Sequence, residues 1–234
     1  MLPWLARAEA EMRPRADDAL RIRAWLSGPV ALDAREGMPL DGLLSWATVL
    51  RYAGELPDDA FEGVPRGTHV DIPVPVAHVE RAGHRIACAS WGRPSPDARE
   101  IVRRKRKRAD VEAYGLGGKV AINGGEWKSL DLPVPLVVCA YVEWYARGDR
   151  AQLAESLALV YGLGRDRARG SGTVVGWELD RVAEDRSLVA DGMPARALPV
   201  RDGGEFPGAG LTMTATRAPY WRRDARTLCA VPAC

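Results

Sequence analysis

Apolar and polar residues alternate with a period of two near the start of the chain. In the stretch ALRIRAWL, residues 19–26, Leu, Ile and Ala side chains are separated by Arg and Trp. Side chains of a strand point alternately to its two faces, so this period predicts a half-buried strand. Residues 39–55 then carry apolar side chains at helical spacing and predict a helix that ends near Gly54: Leu40, Leu43, Leu44, Ala47 and Leu50.

The next part of the chain predicts a loop, two short strands and a projection. Residues 53–67 are rich in Pro, Gly and Asp and are expected to form a loop. Two β-rich runs, DIPVPVAHVE and HRIACASWG, lie on either side of Ala82-Gly83, and the prolines of the first favour an edge or irregular strand. From Gly92 to about Leu130 the sequence is basic, rich in glycine and poor in core residues, which we interpret as an insertion projecting from the domain.

The second half predicts strand, helix and two more strands. The segment Leu136 to Tyr145 is apolar and β-branched enough for a buried central strand. Asp149 is placed to cap an amphipathic helix, whose apolar face would be Leu153, Leu157, Ala158 and Tyr161. The stretch TVVGWELDRV predicts the next strand, and GLTMTATRAPYWRR predicts another strand followed by an aromatic, basic tail.

The order of these elements is close to β-α-β-β-α-β, which is the ferredoxin-like order. We therefore expect an α+β fold with an antiparallel sheet backed by helices. The chain is predicted to form one domain over residues 1–234, with a core at about 17–92 and 129–234 and the basic, glycine-rich insertion at about 93–128.

Composition indicates an ordinary water-soluble protein. The chain is 47% hydrophobic and 27% charged. Its apolar runs are all far shorter than the roughly 20 residues of a membrane span, and its start lacks the layout of a signal peptide, so we expect a cytoplasmic protein. The cysteines are scattered outside any C-x-x-C pair, which favours reduced, buried thiols over a disulfide framework or a zinc site: Cys88, Cys139, Cys229 and Cys234.

Positive charge is concentrated in one block of the insertion. Six basic residues contribute +6 to a net charge of +2, so the rest of the chain carries −4. Such a block could neutralise several phosphates, and Tyr114 and Trp127 of the same insertion could stack on bases. A charge run can also be only a solvated surface, and this alternative stays open. The block consists of Arg103, Arg104, Lys105, Arg106, Lys107 and Arg108.

A glycine- and arginine-rich loop, GLGRDRARGSG at residues 162–172, lies between the second predicted helix and the following strand. Glycines let backbone N–H groups approach a phosphate, while Arg165, Arg167 and Arg169 can supply charge-assisted hydrogen bonds. The loop matches neither a Walker loop nor G-x-G-x-x-G. A solvated turn whose glycines serve only the backbone geometry fits the pattern equally well.

The stretch from Leu163-Gly164-Arg165 to Arg169-Gly170-Ser171-Gly172, between a helix and a strand, resembles the glycine-rich loop that contacts CRISPR RNA in the RAMP superfamily. Three further stretches resemble the subunit that caps the 5′ handle of the guide RNA in type IV CRISPR effector complexes. They are PLDGLLSW at residues 39–46, NGGEWK at 123–128, and APYW at 218–221 with Leu228-Cys229.

This resemblance implies a RAMP domain with an RNA-recognition-like (RRM-like) core and a thumb-like insertion that clasps RNA. The function implied is that of a ribonucleoprotein subunit in RNA-guided DNA targeting and antiviral defence. The implied partners are CRISPR RNA through its 5′ handle, backbone RAMP subunits and a large-subunit equivalent, with target DNA as a further candidate and no membrane. The RNA-binding residues implied are Arg103, Arg104, Lys105, Arg106, Lys107, Arg108, Lys119, Trp127, Lys128, Gly164, Arg165, Arg167, Arg169, Gly170, Ser171 and Gly172. Tyr220 and Trp221 could also stack on a base of the RNA, and core or interface packing is the alternative for this aromatic pair.

Two other functions stay open. Some relatives in the superfamily cut CRISPR RNA, and a metal-independent endonuclease would use His84 or His69 as its general base. These histidines and His78 lie in no recognisable acid–base pair, so we assign no catalytic residue and expect a non-catalytic binder. The other alternative is an RNA-independent interaction protein whose basic block contacts an acidic partner. We expect no metal or other cofactor, because four correctly spaced donors are not evident in the sequence.

Overall fold

The computed structural model describes residues 2–31, 37–54, 70–95, 98–106, 130–165, 167, 170–201, 205–218, 220 and 225–232, and for residues 99–100, 103–106 and 130–132 it describes the backbone alone. Most of the predicted loop at 53–67 and the central part of the basic insertion lie outside these ranges. Predicted site residues outside the described ranges are Lys107, Arg108, Lys119, Trp127, Lys128, Arg169 and Trp221; His69, Tyr114 and Cys234 also lie outside them.

Within the described ranges, three helices and thirteen strands follow one another along the chain. The helices are α1 (Pro3–Glu11), α2 (Leu40–Ala53) and α3 (Arg150–Leu157). The strands are β1 (Asp18–Leu26), β2 (His78–Arg81), β3 (His84–Ala87), β4 (Arg93–Pro94), β5 (Ala98–Arg106), β6 (Leu130–Val138), β7 (Tyr141–Gly148), β8 (Val174–Arg181), β9 (Val189–Ala190), β10 (Met193–Pro194), β11 (Leu198–Pro199), β12 (Gly210–Ala215) and β13 (Arg226–Val231).

The main sheet has four strands in the order β4-β7-β1-β8, and every pairing within it is antiparallel. Alternate residues of β1 and β7 are buried on one face: Leu20, Ile22, Ala24, Val142, Trp144 and Ala146. This face packs against apolar side chains of α2 and α3, which are Leu40, Leu44, Ala47, Leu153 and Leu157. The described residues thus form an α+β fold with antiparallel sheets, and the strand and first helix predicted from the periodicity are confirmed.

The cap of α3 is confirmed, but the helix is shorter than predicted. The Asp149 carboxylate accepts hydrogen bonds from the backbone N–H groups of Ala151 and Gln152, at 2.9 and 3.1 Å. After Leu157 the hydrogen bonding changes to a 3₁₀-type turn, because the N–H groups of Leu159 and Val160 donate to carbonyls three residues earlier. Tyr161 therefore lies beyond the helix and is 72% exposed, so its predicted place on the buried helical face is wrong.

The strand predicted from Leu136 to Tyr145 is in fact two strands, since β6 ends at Val138 and β7 begins at Tyr141. At the break, the Ser95 hydroxyl accepts hydrogen bonds from the N–H groups of Ala140 and Tyr141, at 3.1 and 3.4 Å. Because Ser95 belongs to another segment, the break needs no local Gly or Pro, and the apolar pattern gives no sign of it. Burial alternates along β7, so this strand is half-buried rather than buried on both faces.

The basic insertion is built on a two-stranded antiparallel stem. Strand β5 pairs with β6 from Ala98 opposite Val138 to Arg106 opposite Leu130. The stem therefore takes in the whole of β6, although the predicted insertion ended at residue 128. At the other boundary, Arg93–Pro94 pairs with β7 and belongs to the main sheet. Residues 103–106 of the basic block lie on the outgoing arm, at the end of the stem far from Val138.

The hydrophobic pattern predicts some of the remaining elements and not others. The predicted strands around Ala82-Gly83 form the β2-β3 hairpin, and the strand predicted within residues 210–223 is β12. The sequence does not predict α1 or the sheet β11-β13-β12, in which β12 pairs with β13. Strands β9, β10 and β11 have two residues each, which is too short for a period of two to be seen.

A buried arginine connects the C-terminal part of the chain to the end of the β2-β3 hairpin and to α2. The Arg196 side chain has no solvent exposure. Its Nη1 donates to the carbonyl oxygens of Ala87 and Ala89, 2.5 and 2.9 Å away. Its Nη2 donates to the carbonyl oxygen of Thr216 at 2.6 Å. One guanidinium thus satisfies backbone carbonyls from two distant parts of the chain.

The countercharge of Arg196 is Asp41 on α2, 3.5 Å from Nη2 and 3% exposed. The Tyr220 hydroxyl joins the two, because it accepts from Nη2 at 2.9 Å and donates to an Asp41 carboxylate oxygen at 2.6 Å. Burial is the largest single influence on the pKa of Arg196 and lowers it, but Asp41 and Tyr220 together outweigh burial, so the pKa is raised. Burial also raises the pKa of Tyr220 well above 10, so its hydroxyl stays protonated. We call these three residues the Arg196 cluster.

Loss of one member should leave a buried charge without its partner. We expect Asp41→Ala to lower the free energy of unfolding by about 3–5 kcal/mol. The double variant Asp41→Ala/Arg196→Met removes the orphaned charge as well, so it should lose less than the sum of the two single variants. Urea denaturation of the wild type, both single variants and the double variant measures the coupling. Losses that simply add would contradict a buried, coupled pair.

Candidate nucleic-acid interface

A short extended segment between β1 and α2, residues 29–31, holds the stem of the basic insertion. Val30 and Val137 of β6 exchange both of their backbone hydrogen bonds, each 2.9 Å long. Gly28 directly precedes this segment, and a Cβ added at Gly28 would have no atom within 4 Å. The attachment lies at the base of the stem, since Val137 pairs with Arg99 near the start of β5.

The opposite edge of the same segment holds the glycine- and arginine-rich loop. The Arg165 N–H donates to the carbonyl oxygen of Ala31 at 3.1 Å, and the Gly172 N–H donates to that of Pro29 at 2.8 Å. Successive residues of an extended chain direct their hydrogen-bonding groups to opposite sides. Residues 29–31 can therefore bind the stem through Val30 and the loop through its two neighbours. The stem of the basic insertion and the glycine- and arginine-rich loop are therefore attached to the same segment of backbone.

Two glycines of the loop are required by close backbone contacts. Gly164 and Gly172 have left-handed conformations, with φ of 71° and 67°. A Cβ at Gly164 would overlap the carbonyl oxygen of Ala31, and one at Gly172 would overlap that of Leu163. The N–H groups of Leu163, Arg165 and Gly172 all donate to protein carbonyls. These N–H groups are thus occupied, and contacts to a phosphate at these positions would have to come from side chains.

One arginine of the loop lies over an aromatic ring of α2. The Arg167 guanidinium is 5.7 Å from the centre of the Trp46 ring. A Cβ at Gly162 would come within 3.2 Å of Arg167 Cδ, so the Arg167 side chain passes close over the Gly162 backbone. Tyr161 meets Trp46 edge to face, with ring centres 6.5 Å apart and planes at 72°. We call Trp46, Tyr161 and Arg167 the Trp46 cluster.

Sequence reasoning missed the Trp46 cluster. The helical spacing assigned Tyr161 to a buried face, and Trp46 entered only as part of the stretch at residues 39–46. The two rings come from segments more than a hundred residues apart, and a contact of this kind has no local signature in a single sequence. The nearest available signal was the arginine-rich loop directly after Tyr161.

The predicted site residues fall into separate groups. Gly164, Arg165, Arg167, Gly170, Ser171 and Gly172 share the loop, where Ser171 is buried and Gly170 is open to solvent. Residues 103–106 begin four residues beyond the attachment at Arg99 and so lie roughly 13–23 Å along β5, at about 3.3 Å per residue. The Tyr220 hydroxyl is engaged in the Arg196 cluster, and its ring lies beside Gly42 of α2. This arrangement gives Tyr220 a packing role.

The face of the main sheet opposite the helices is charged but not basic. Arg21 pairs with Asp180 at 2.7 Å. Arg23 pairs with Glu143 at 2.7 Å and with Glu178 at 3.5 Å. Both arginines are therefore neutralised by carboxylates on neighbouring strands. A nucleic-acid phosphate would have to displace these ion pairs to bind here.

His78 lies beside a cavity of about 20 Å³, whose lining includes Asp41, Asp71, Arg85 and Arg217. A space of this size holds about one water molecule and cannot admit a ribose phosphate. Burial, followed by the charge of Arg85, lowers the pKa of His78 to about 4. The side chain is therefore neutral near pH 7. His84 begins β3 and pairs in register with Arg81.

Comparison of the sequence with protein-family models gives no match, and a search of curated proteins gives none. Within the described ranges, no helix is long and apolar enough to cross a membrane. The same part of the chain contains no group of three or more His, Cys, Asp or Glu side chains that could hold a metal ion. The described cysteines, Cys88, Cys139 and Cys229, are all buried.

Alanine substitutions should destabilise the protein more at the two tightly packed glycines of the loop than at a glycine with open space around it. We expect Gly164→Ala and Gly172→Ala each to lower the free energy of unfolding by about 2–4 kcal/mol, through backbone strain and overlap with a carbonyl oxygen. Gly170→Ala is the matched control, because Gly170 also has a positive φ, 82°, but nothing lies within 4 Å of an added Cβ. It should cost only about 1 kcal/mol. Equal losses in urea denaturation would contradict the close-packing role.

The buried neutral His78 should make the protein sensitive to mild acid. Its folded pKa of about 4 lies below the ordinary 6.5, so the unfolded chain binds a proton that the folded chain does not. The resulting stability is complete above pH 6.5 and declines as the pH falls toward 4. His78→Gln should flatten this decline, and urea midpoints across that range measure it. Above pH 6.5 both proteins should show the same pH dependence; parallel curves below it would contradict the assignment.

Proposed function

We propose that this chain is a RAMP-type, non-catalytic RNA-binding protein that caps the 5′ handle of a CRISPR RNA in a type IV-like effector complex. One observation carries the proposal: residues 29–31 bind the base of the basic stem on one edge and the glycine- and arginine-rich loop on the other. The two segments that most resemble RNA-contacting elements of the superfamily thus start from a common attachment. A strand of RNA could run from one to the other.

The arrangement of the main sheet supports the RAMP interpretation. The connection from β1 to β4 passes through α2, and that from β7 to β8 passes through α3. In the order β4-β7-β1-β8, each connection crosses over one intervening strand. We interpret this order as that of a ferredoxin-like β-α-β-β-α-β domain and as an RRM-like RAMP core. The stem of β5 and β6 then corresponds to a thumb-like insertion.

The proposed binding mode is electrostatic and uses side chains. The guanidinium groups of Arg165 and Arg167 would hold phosphates of the handle, because arginine suits bidentate phosphate binding. The basic arm of β5 would follow the next phosphates and clasp the strand. Recognition would then depend on the position and shape of the handle, while the guide reads its target by base pairing.

The carboxylates on the open sheet face, which is the face of the main sheet opposite the helices, support an RNA path that runs elsewhere. Many RRM-like domains stack bases on this face, but here the carboxylates of Glu143, Glu178 and Asp180 lie on it. RNA would approach these carboxylates at an electrostatic cost. The proposed track therefore runs along the loop and the stem. Backbone RAMP subunits and a large-subunit equivalent are the proposed protein partners, and target DNA is a further candidate.

Charge reversal on the stem tests the proposal. We expect Arg103→Glu, Arg104→Glu, Lys105→Glu and Arg106→Glu together to weaken binding of the RNA that co-purifies with the complex. If four phosphate contacts are lost, the slope of log affinity against log salt should become shallower by about 3, because each contact to single-stranded RNA contributes about 0.7. Fluorescence anisotropy at several salt concentrations measures both quantities.

A matched control reverses charge at Arg7 and Arg13, which are exposed at and after α1. The variant Arg7→Glu/Arg13→Glu should keep the affinity and the salt slope of the wild type. An unchanged slope in the stem variant would contradict the proposal.

Incubation with repeat RNA in EDTA tests the endonuclease alternative. Site-specific cleavage that is lost in His84→Ala would support that alternative. Absence of RNA from protein co-expressed with its neighbouring gene products would instead support an RNA-independent interaction protein.

A further inference from the structure

The Tyr161 ring is held in place but is exposed to solvent. Its backbone carbonyl accepts a hydrogen bond from the Val174 N–H at 3.0 Å, and the next residue, Gly162, forms a β-bridge with Thr173. The backbone is therefore anchored to the start of β8, although the side chain is 72% exposed. An ordered aromatic ring with this exposure is energetically unfavourable, because its apolar surface stays in contact with water and forgoes the free energy of burial.

The neighbours of Tyr161 fix the orientation of its ring and add positive charge. Trp46 is partly buried and packs against the core, so it forms a firm support beside the Tyr161 ring. The Arg167 guanidinium lies over the Trp46 ring at 5.7 Å. An aromatic surface next to an arginine is the combination that binds unpaired bases together with their phosphates.

We propose that the Tyr161 ring stacks on one unpaired base of the bound RNA while the Arg167 guanidinium contacts the adjacent phosphate. This inference depends on the proposed function, because it assumes that the loop faces RNA. It adds a specific class of ligand, which is single-stranded RNA with an accessible base. Bases within a duplex are stacked on both faces, so an aromatic side chain on a protein surface can reach only an unstacked base.

The surroundings favour RNA over a protein partner at Tyr161. The loop at residues 162–172 contains three arginines, Arg165, Arg167 and Arg169, and a single acidic residue, Asp166. An RNA strand supplies a phosphate for such arginines beside every base. By contrast, the exposed apolar residues Leu211 and Met213 of β12 have no aromatic ring for stacking. The combination of ring and positive charge therefore points to a nucleotide.

Three RNA probes distinguish stacking from charge attraction. They are an oligoadenylate of about 12 nucleotides, a ribose-phosphate chain of the same length without bases, and a duplex of the same length. Tyr161→Ala should weaken oligoadenylate binding about tenfold, the usual size of one lost base–aromatic stack. It should leave binding of the abasic chain and of the duplex unchanged. Tyr161→Phe should retain wild-type affinity for all three probes, since it keeps the ring.

Tyr52→Ala is the matched control. Tyr52 also has arginines over its ring, with Arg7 and Arg51 at 5.6 and 5.5 Å, but it belongs to the contact between α1 and α2. This variant should bind oligoadenylate as the wild type does. Together, the two tyrosines compare the same chemistry at two different places on the molecule.

The outcomes separate this inference from the proposed function. If the wild-type protein binds none of the three probes and co-purifies with no RNA, the proposed function fails. If it binds RNA but Tyr161→Ala weakens the abasic chain as much as oligoadenylate, Tyr161 does not act by stacking and the inference is overturned. If Tyr161→Ala leaves RNA binding intact and instead weakens assembly with co-expressed subunits, the ring contacts a protein and the inference is likewise overturned.

Discussion

The buried charge of Arg196 constrains how the segments of this fold meet. A guanidinium without solvent needs a partner for its charge and hydrogen bonds for most of its N–H groups. In Arg196, Nη1 and Nη2 are hydrogen-bonded, whereas Nε is buried without a partner among the described residues. Here the partners come from the end of the β2-β3 hairpin, from α2 through Asp41, and from the chain after β12. Moving any one of them would leave the charge incompletely paired. The register of α2 is thereby fixed at Asp41, and Trp46, about one and a half turns further along, is held beside the glycine- and arginine-rich loop.

A second constraint arises from the few hydrogen-bonding groups of residues 29–31. Val30 uses both of its backbone groups on the basic stem, while the carbonyls of Pro29 and Ala31 accept from the loop. The bases of both elements are therefore tied to the same piece of backbone. This arrangement also changes the chemistry expected of the loop. Its glycines allow the protein backbone to approach itself closely, so the capacity to bind an anion belongs to the arginine side chains.

The sequence predicts those parts of the fold whose signal is local. Residues 19–26 and 40–53 show clear periods of two and 3.6, and Asp149 is a typical helix cap. The break between β6 and β7 was not predictable, because Ser95 supplies its hydrogen bonds from another segment. The Arg196 cluster was not predictable either. Asp41 and Tyr220 lie in two stretches of the family resemblance, but their contact spans 179 residues and has no local pattern. The same holds for the contact between Trp46 and Tyr161.

Net charge alone would be a poor guide to where this protein could bind RNA. The value of +2 is the sum of a strongly basic block and an acidic remainder. On the open sheet face, Arg21 and Arg23 are paired with carboxylates, and at physiological ionic strength their field is screened within about 8 Å. The loop at 162–172 and the outgoing arm of the stem carry arginines and lysines in excess of acidic residues. Since a polyanion responds to the local field rather than to the total charge, the positions of the carboxylates decide which surfaces attract a polyanion as much as the positions of the arginines do.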